Sequence, residues 1–228
     1  MNKYCPKCNG LIAYYKGLLT GGTGGVCADC KSVTRVELLL EEPKFQAQAL
    51  KYVSIDLETT GLDPETDQIL EFGAVLEDWQ SPLCNLPTFH RYILTDRVSG
   101  SPFALAMNAD ILRAISAKQS PCCTRDELPG QFAQWLQEQG FDPLHVNAAG
   151  KNFAGFDAQF LKYMENIVCF RKRVLDPATL YWRAEDEKLP DMKTCMERAG
   201  IPGKVAHTAV EDAKVVIQLV RRAKRSIA

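Results

Sequence analysis

Two C-x2-C pairs, Cys5-Pro-Lys-Cys8 and Cys27-Ala-Asp-Cys30, stand 18 residues apart near the start of the chain and constrain its organisation more than any other feature. Each pair offers two thiolates from one tight turn, and four thiolates around one ion suit tetrahedral Zn²⁺. Gly10, just past the first pair, permits a tight knuckle there. A redox role is disfavoured, because there are two pairs and neither lies in a thioredoxin-like unit. Iron fits the same ligands. Disulfides fit poorly: MNKYCPKC lacks the apolar core of a secretory signal, and the cysteines number nine, an odd count. The same features lead us to expect reduced thiols and a cytoplasmic location.

The spacing resembles a zinc ribbon, with two knuckles on adjacent hairpins, over residues 1–40. This stretch holds six of the 15 glycines and is too small to bury a core unaided. A bound ion would supply the missing folding energy. TGGTGG (20–25) predicts a hairpin tip, VTRVELLL (33–40) a strand, and residues 41–50, with Pro43, a linker. Tyr4, Tyr14, Tyr15, Lys3, Lys7 and Lys16 give this region an aromatic and basic character suited to single strands. Contact with nucleic acid or a protein partner is one reading of this region; simple packing against the rest of the chain is an equal alternative. The other five cysteines are read as small buried hydrophobes.

From Lys51 onward, strands and helices alternate. YVSID (52–56), QILEFGAVLE (68–77) and TFHRYIL (88–94) read as strands, and FALAMNADILRAI (103–115) as a helix. Thr124 and Glu127 form a capping box for a helix ending near Gly140. LHVNAAG (144–150) predicts a strand, FDAQFLKYMEN (156–166) a helix, and VLDPATLYW (174–182) a strand or turn leading into another helix. The last helix is expected over 208–224, with Val210, Ala213, Val216, Ile217 and Val220 on one face. RRAKR (221–225) reads as a solvated helix end. The order predicts an α/β fold: a mixed central sheet flanked by helices over 51–228.

Charge narrows the function. With 27 basic and 28 acidic residues, the net charge is -1, so the basic excess of proteins that grip duplex DNA by its backbone is missing. A nucleic acid would be met in one acidic, metal-loaded pocket or on a local basic patch. With 46% hydrophobic residues the composition is that of a globular protein, and no apolar run reaches the roughly 18 residues of a membrane span.

The acids carry the chemistry. Asp56 and Glu58 are two apart in an extended chain and so point to one face. Asp157 opens a helix, and His207 precedes Asp212 by five residues at the start of the last helix. Taken singly, each acid is more often a solvated strand end or helix start. Together, four carboxylates supply the oxygen ligands that Mg²⁺ or Mn²⁺ requires. Two such ions can clamp the attacking and leaving oxygens of a phosphoryl displacement. A histidine beside them is suited to take a proton from the attacking water.

SIDLETTGL, AGKNFAGFDAQFL and HTAVEDA resemble, in order, the three motifs of the DEDDh 3′–5′ exonucleases, over roughly residues 51–225. That superfamily includes oligoribonuclease, RNase T and polymerase proofreading subunits. The resemblance implies an RNase H-like fold and two Mg²⁺ or Mn²⁺ ions held by Asp56, Glu58, Asp157 and Asp212. It also implies His207 as general base, and Glu58 approaching the 3′-hydroxyl. Leu57, Thr59, Thr60 and Leu62 would cradle the terminal nucleotide, with Asn152 and Phe156 lining the site. The first motif reads as in proofreading enzymes, whereas Phe153 stands where oligoribonucleases tend to have serine. Phe156 is read as core, and Phe153 either stacks on a base or is core as well.

The expected activity is hydrolysis of single-stranded DNA or RNA from the 3′ end to nucleoside 5′-monophosphates. Alternatives are a zinc-ribbon adapter that binds nucleic acid, with the nuclease fold as a platform, and a proofreading subunit docked on a polymerase.

Overall fold

The computed structural model describes residues 50–203 and 205–225 and, within the first 49 residues, the backbone of three strands. The chain forms two units, Met1–Ala49 and Leu50–Ala228. In the first unit, β1 (Ile12–Lys16), β2 (Thr23–Cys27) and β3 (Val33–Arg35) pair antiparallel in that order. Lys16 lies opposite Thr23, Tyr15 opposite Gly24 and Tyr14 opposite Gly25. The second half of TGGTGG therefore belongs to β2 and not to a hairpin tip. Cys5, Cys8 and Cys30 lie outside the described residues, while Cys27 is the last residue of β2.

The second unit is built on a five-stranded sheet. Its strands are β4 (Val53–Thr59), β5 (Ile69–Leu76), β6 (Thr88–Leu94), β7 (Cys122–Thr124) and β8 (Ala148–Ala149), ordered β7-β6-β5-β4-β8. The three long strands pair antiparallel, and the two short outer ones join parallel. Bridges from Phe170 to Val146 and Leu175 to Ala149 extend the β8 edge. Among the described residues, seven helices accompany the sheet: α1 (Pro102–Met107), α2 (Ala109–Ser116), α3 (Leu128–Glu138), α4 (Asp157–Phe160), α5 (Pro177–Tyr181), α6 (Met192–Arg198) and α7 (Ala209–Arg225).

Both faces of the central strands are covered, which is why β5 is buried along its whole length. On one face Val53, Ile55, Leu57, Phe72 and Ala74 meet α3 and the segment around α4. Phe72, Phe89 and Phe132 make edge and tilted ring contacts there, with centroids 4.8–5.7 Å apart. On the other face Tyr52 and Val75 meet Ala213, Val216, Ile217 and Val220 of α7, with Val210 packed alongside, as the helical periodicity predicts. Arg221 fastens the far end of α7. Its guanidinium donates to Glu77 at 2.5–3.1 Å and to the carbonyls of Asp78 and Ser81. The expected solvated helix end is therefore corrected at Arg221, which is largely buried in an ion pair.

Several elements differ from the sequence reading. The helix over 103–115 is split at Asn108, whose buried amide donates to the Thr59 carbonyl at 3.0 Å. The strand over 144–150 shrinks to Ala148–Ala149, because Asp142 caps a 3-10 turn at Pro143–His145. The helix over 156–166 shortens to α4 followed by a second 3-10 turn, Lys162–Met164. The Thr124–Glu127 box closes, with the Thr124 N–H donating to Glu127 at 2.8 Å, but Thr124 stays in β7 and the helix starts at Leu128. Of the five cysteines read as buried, Cys123 and Cys195 are, Cys122 and Cys169 are half-buried, and Cys84 is exposed.

Gly73 explains how closely α7 approaches the sheet. A Cβ there would fall on the backbone of Ala209 and Val210 at the start of the helix. Gly73→Ala is therefore expected to cost about 1–3 kcal/mol by overpacking. Chemical denaturation measures it; an unchanged midpoint would contradict the contact.

Candidate active site

Strand alternation decides which side chains share the site. Val53, Ile55 and Leu57 belong to the α3 side of β4, so Asp56 and Glu58 turn to the α7 side. Across the sheet, Asp56 lies opposite Gly73 and Glu58 opposite Glu71. The pairing shifts register between Glu58 and Thr59, where the strand gives way to the Thr60–Gly61 turn.

The first turn of α7 brings Asp212 onto the same face. Asp212 is buried and accepts the Ala206 N–H at 3.2 Å. A carboxylate oxygen of Glu58, a ring nitrogen of His207 and a carboxylate oxygen of Asp212, each able to ligate a metal, lie within 4.8 Å of one another. His207 is exposed and holds a left-handed backbone, with φ of 52°, in the turn before the helix. Asp157 arrives from the other direction: buried at the start of α4, its Oδ1 accepts the Leu57 N–H at 3.1 Å. That bond ties α4 to the strand carrying Asp56 and Glu58.

The electrostatics are those of crowded, unneutralised acids. Asp56 is pushed well above the usual carboxylate range by burial, and then by the charges of Asp157, Asp212, Glu58 and Glu71. Burial, then Asp212 and Glu71, raise Glu58 to about 7, against a hydrogen bond from Asn108 that lowers it. Burial lifts Asp157 to about 7 and also raises Asp212. A hard divalent cation bound by carboxylate oxygens fits such a set, because it supplies the positive charge the acids lack.

Acids raised in the folded state keep protons that the unfolded chain has released. Between the ordinary carboxylate range and about pH 7, stability without cations falls as pH rises, by about 1.4 kcal/mol per pH unit for each extra proton held. Cation-free protein is expected to melt lower at about pH 7.5 than at about pH 5.5, with Mg²⁺ restoring the loss mainly at the higher value. Melting curves that stay flat or rise across that window would contradict the crowding.

The residues expected around a terminal nucleotide divide in two. Leu57 is buried and its N–H is taken by Asp157. The hydroxyls of Thr59 and Thr60 hold the turn together: Thr59 donates to the Gly61 carbonyl at 2.7 Å, and Thr60 accepts the Gln68 N–H at 2.9 Å. Leu62 is 84% exposed. Asn152 is exposed in a left-handed turn, its N–H donating to Asp176 at 2.9 Å. Phe153 is fully buried against Phe170, which places it in the core. Phe156, read as core, is only half-buried beside Phe160.

Three features escaped the sequence reading. Glu71 is buried opposite Glu58, and Asn108 is buried with its amide spanning Thr59 and Glu58. Apolar Phe103 and Met107 stand exposed on α1, whose start is tied to the Thr60 carbonyl by the Ser101 N–H at 2.8 Å. A carboxylate inside the apolar run QILEFGAVL was the available signal for Glu71. A wider cleft of about 1000 Å³ runs between Leu94, Leu112, Ile115 and Arg125, but its lining includes neither the four acids nor His207.

A family model described as exonuclease, RNase_T, matches residues 53–220. Among solved structures, cell-death related nuclease 4 (CRN-4) is similar at a TM-score of 0.58 and 15% identity, covering 77% of this chain and 64% of that one. The nuclease domain of 3′hExo, a DEDDh family member solved with rAMP bound, gives 0.57 and 16%, covering 77% and 92%. Exonuclease I from Methylocaldum szegediense gives 0.54 and 19%, covering 77% and 40%. The chain thus spans under two thirds of CRN-4 and of that exonuclease I, and at these identities the likeness is one of fold. No curated protein matches significantly.

Proposed function

The chain belongs to the exonuclease family, and we propose that it is a divalent-metal-dependent 3′–5′ exonuclease that releases nucleoside 5′-monophosphates from single-stranded ends. The observation that carries this reading is the meeting of Glu58, Asp212 and His207 within 4.8 Å, on the face of β4 that also presents Asp56.

Asp56, Glu58, Asp157 and Asp212 would hold the cations, as Mg²⁺ or Mn²⁺. Bound there, the ions supply Lewis-acid stabilisation of charge on the scissile phosphate. His207 takes the proton of the attacking water. As water oxygen bonds to phosphorus, the bond to the 3′-oxygen of the penultimate nucleotide breaks, and that oxygen leaves with a proton from solvent. Leu57 orients Asp157 through its N–H. Leu62, next to the Thr59–Gly61 turn, and Phe103 and Met107 on α1, whose start is bonded to that turn through Ser101, are exposed apolar side chains that would give an unstacked terminal base a surface to rest on. Such contacts are tolerant of base identity, which suits an enzyme that shortens any sequence. The rAMP bound to the 3′hExo domain is a nucleotide of the kind this reaction would release.

Residues 1–40 would form a zinc ribbon on Cys5, Cys8, Cys27 and Cys30, supported by the two C-x2-C pairs and by a three-stranded sheet whose β2 ends at Cys27. Its role would be to hold single strands or a protein partner. Elemental analysis of protein purified without chelator is expected to find about one zinc per chain.

Matched DNA and RNA oligonucleotides test the main reading. Chelator-sensitive shortening of at least one polymer is expected. Binding without shortening in Mg²⁺ or Mn²⁺ would instead favour the adapter.

A further inference from the structure

Glu71 is a buried carboxylate that the proposed reaction leaves without a task. It lies in β5, 3% exposed, on the face that also carries Glu58 and directly across from it. Such a group is costly to bury unless its oxygens are bonded. Both are: Oε1 is 2.6 Å from His90 Nε2, and Oε2 accepts the N–H of Ala209 at 3.0 Å.

Ala209 is the first residue of α7. The first four N–H groups of a helix have no partner within it, and a nearby residue of the same chain segment normally caps one. Here the cap comes from a strand 138 residues away in sequence. The same helix end rests on Gly73, where a side chain would collide with Ala209 and Val210. His207 stands two residues before the capped N–H and Asp212 three after it. Glu71 therefore grips the start of α7, between the turn that carries His207 and the helical turn that carries Asp212, while His90, one strand over in β6, holds its other oxygen.

We propose that Glu71, oriented by His90, is a positioning residue that fixes the start of α7 and so places Asp212 and His207 against Glu58. This rests on the metal-site reading above. The opposite end of α7 is clamped independently by Arg221 on Glu77, which gives an internal control.

Mn²⁺ binding measured by electron paramagnetic resonance, alongside melting temperature, tests it. Glu71→Ala is expected to weaken Mn²⁺ binding about 10–100-fold, the usual scale for a group that orients a ligand. Glu71→Gln keeps an oxygen for the Ala209 N–H and is expected to stay within about threefold of wild type. Arg221→Met is expected to lower the melting temperature yet leave Mn²⁺ affinity within about twofold. In turnover, Glu71→Ala is expected to lower kcat more than it raises KM for the oligonucleotide. Should Glu71→Ala not fold, Glu71→Asp, too short to span both partners, takes its place with the same expected loss.

The proposal is overturned if Glu71→Ala, or Glu71→Asp in its place, binds Mn²⁺ like wild type. It is also overturned if Glu71→Gln is as impaired as Glu71→Ala, which would make charge and not placement the cause, or if Arg221→Met weakens Mn²⁺ equally. Wild-type protein that binds no Mn²⁺ would remove the metal-site reading itself, and this inference with it.

Discussion

Asp56→Asn is expected to lower kcat on a single-stranded oligonucleotide by about 10³-fold or more while raising the melting temperature of cation-free protein at neutral pH. The two effects have one cause. Asp56 is surrounded by Asp157, Asp212, Glu58 and Glu71, and its carboxyl is held well above the ordinary range by burial and by their charges. An amide of the same shape removes one participant from that repulsion. A relief of 1 kcal/mol moves the midpoint of a domain of this size up by about 2–4 °C. On the proposed mechanism the same substitution also removes a ligand oxygen and weakens charge stabilisation in the transition state. A loss of about 4 kcal/mol there is on the order of 10³-fold in rate. Stability up and activity down is a signature that ordinary structural damage does not produce. A variant that is both less stable and still active would place Asp56 outside the site.

His207→Asn carries the second large effect. His207 is exposed at the edge of the acid cluster, with an imidazole nitrogen near Glu58 and Asp212. Its backbone has φ of 52°, a region that asparagine tolerates and β-branched residues resist. Asparagine therefore keeps the turn and removes the proposed proton acceptor, which is expected to cost about 10²–10⁴-fold in kcat. The melting temperature should hardly move, because little packing is lost. His207→Val is expected to lose activity as well and to cost stability in addition, from backbone strain. Full activity in His207→Asn would transfer the role of base to another group.

Much of this was legible in the sequence because it depends on local periodicity. Asp56 and Glu58 are two apart on a strand, and that alone put them on one face. The apolar stripe of α7 fixed which side of the helix meets the sheet, and Asp212 follows from it. The three long strands were legible for the same reason. What escaped depends on contacts between distant segments. Glu71 gains its meaning from lying opposite Glu58 and under Ala209, neither of which is local to it. Asn108 interrupts a strong helical pattern because a strand carbonyl 49 residues away draws in its amide. Phe153 and Phe156 are near neighbours of one type on an irregular turn, where no period tells which faces inward. The structure buries the first and leaves the second half open.

The glycines show the same division. Gly61, in the first motif, would meet Asp67 if it bore a side chain, and a turn after a strand is where sequence leads one to expect such a residue. Gly73 sits in mid-strand, where glycine weakens pairing, and only the approach of α7 explains it.

The most direct measurement follows a 5′-labelled single strand in Mg²⁺ or Mn²⁺ and identifies the released product. The account predicts a ladder shortened one nucleotide at a time from the 3′ end, with nucleoside 5′-monophosphates released and all shortening stopped by chelator. Internal cuts, nucleoside 3′-monophosphates, or shortening that persists in chelator would contradict it.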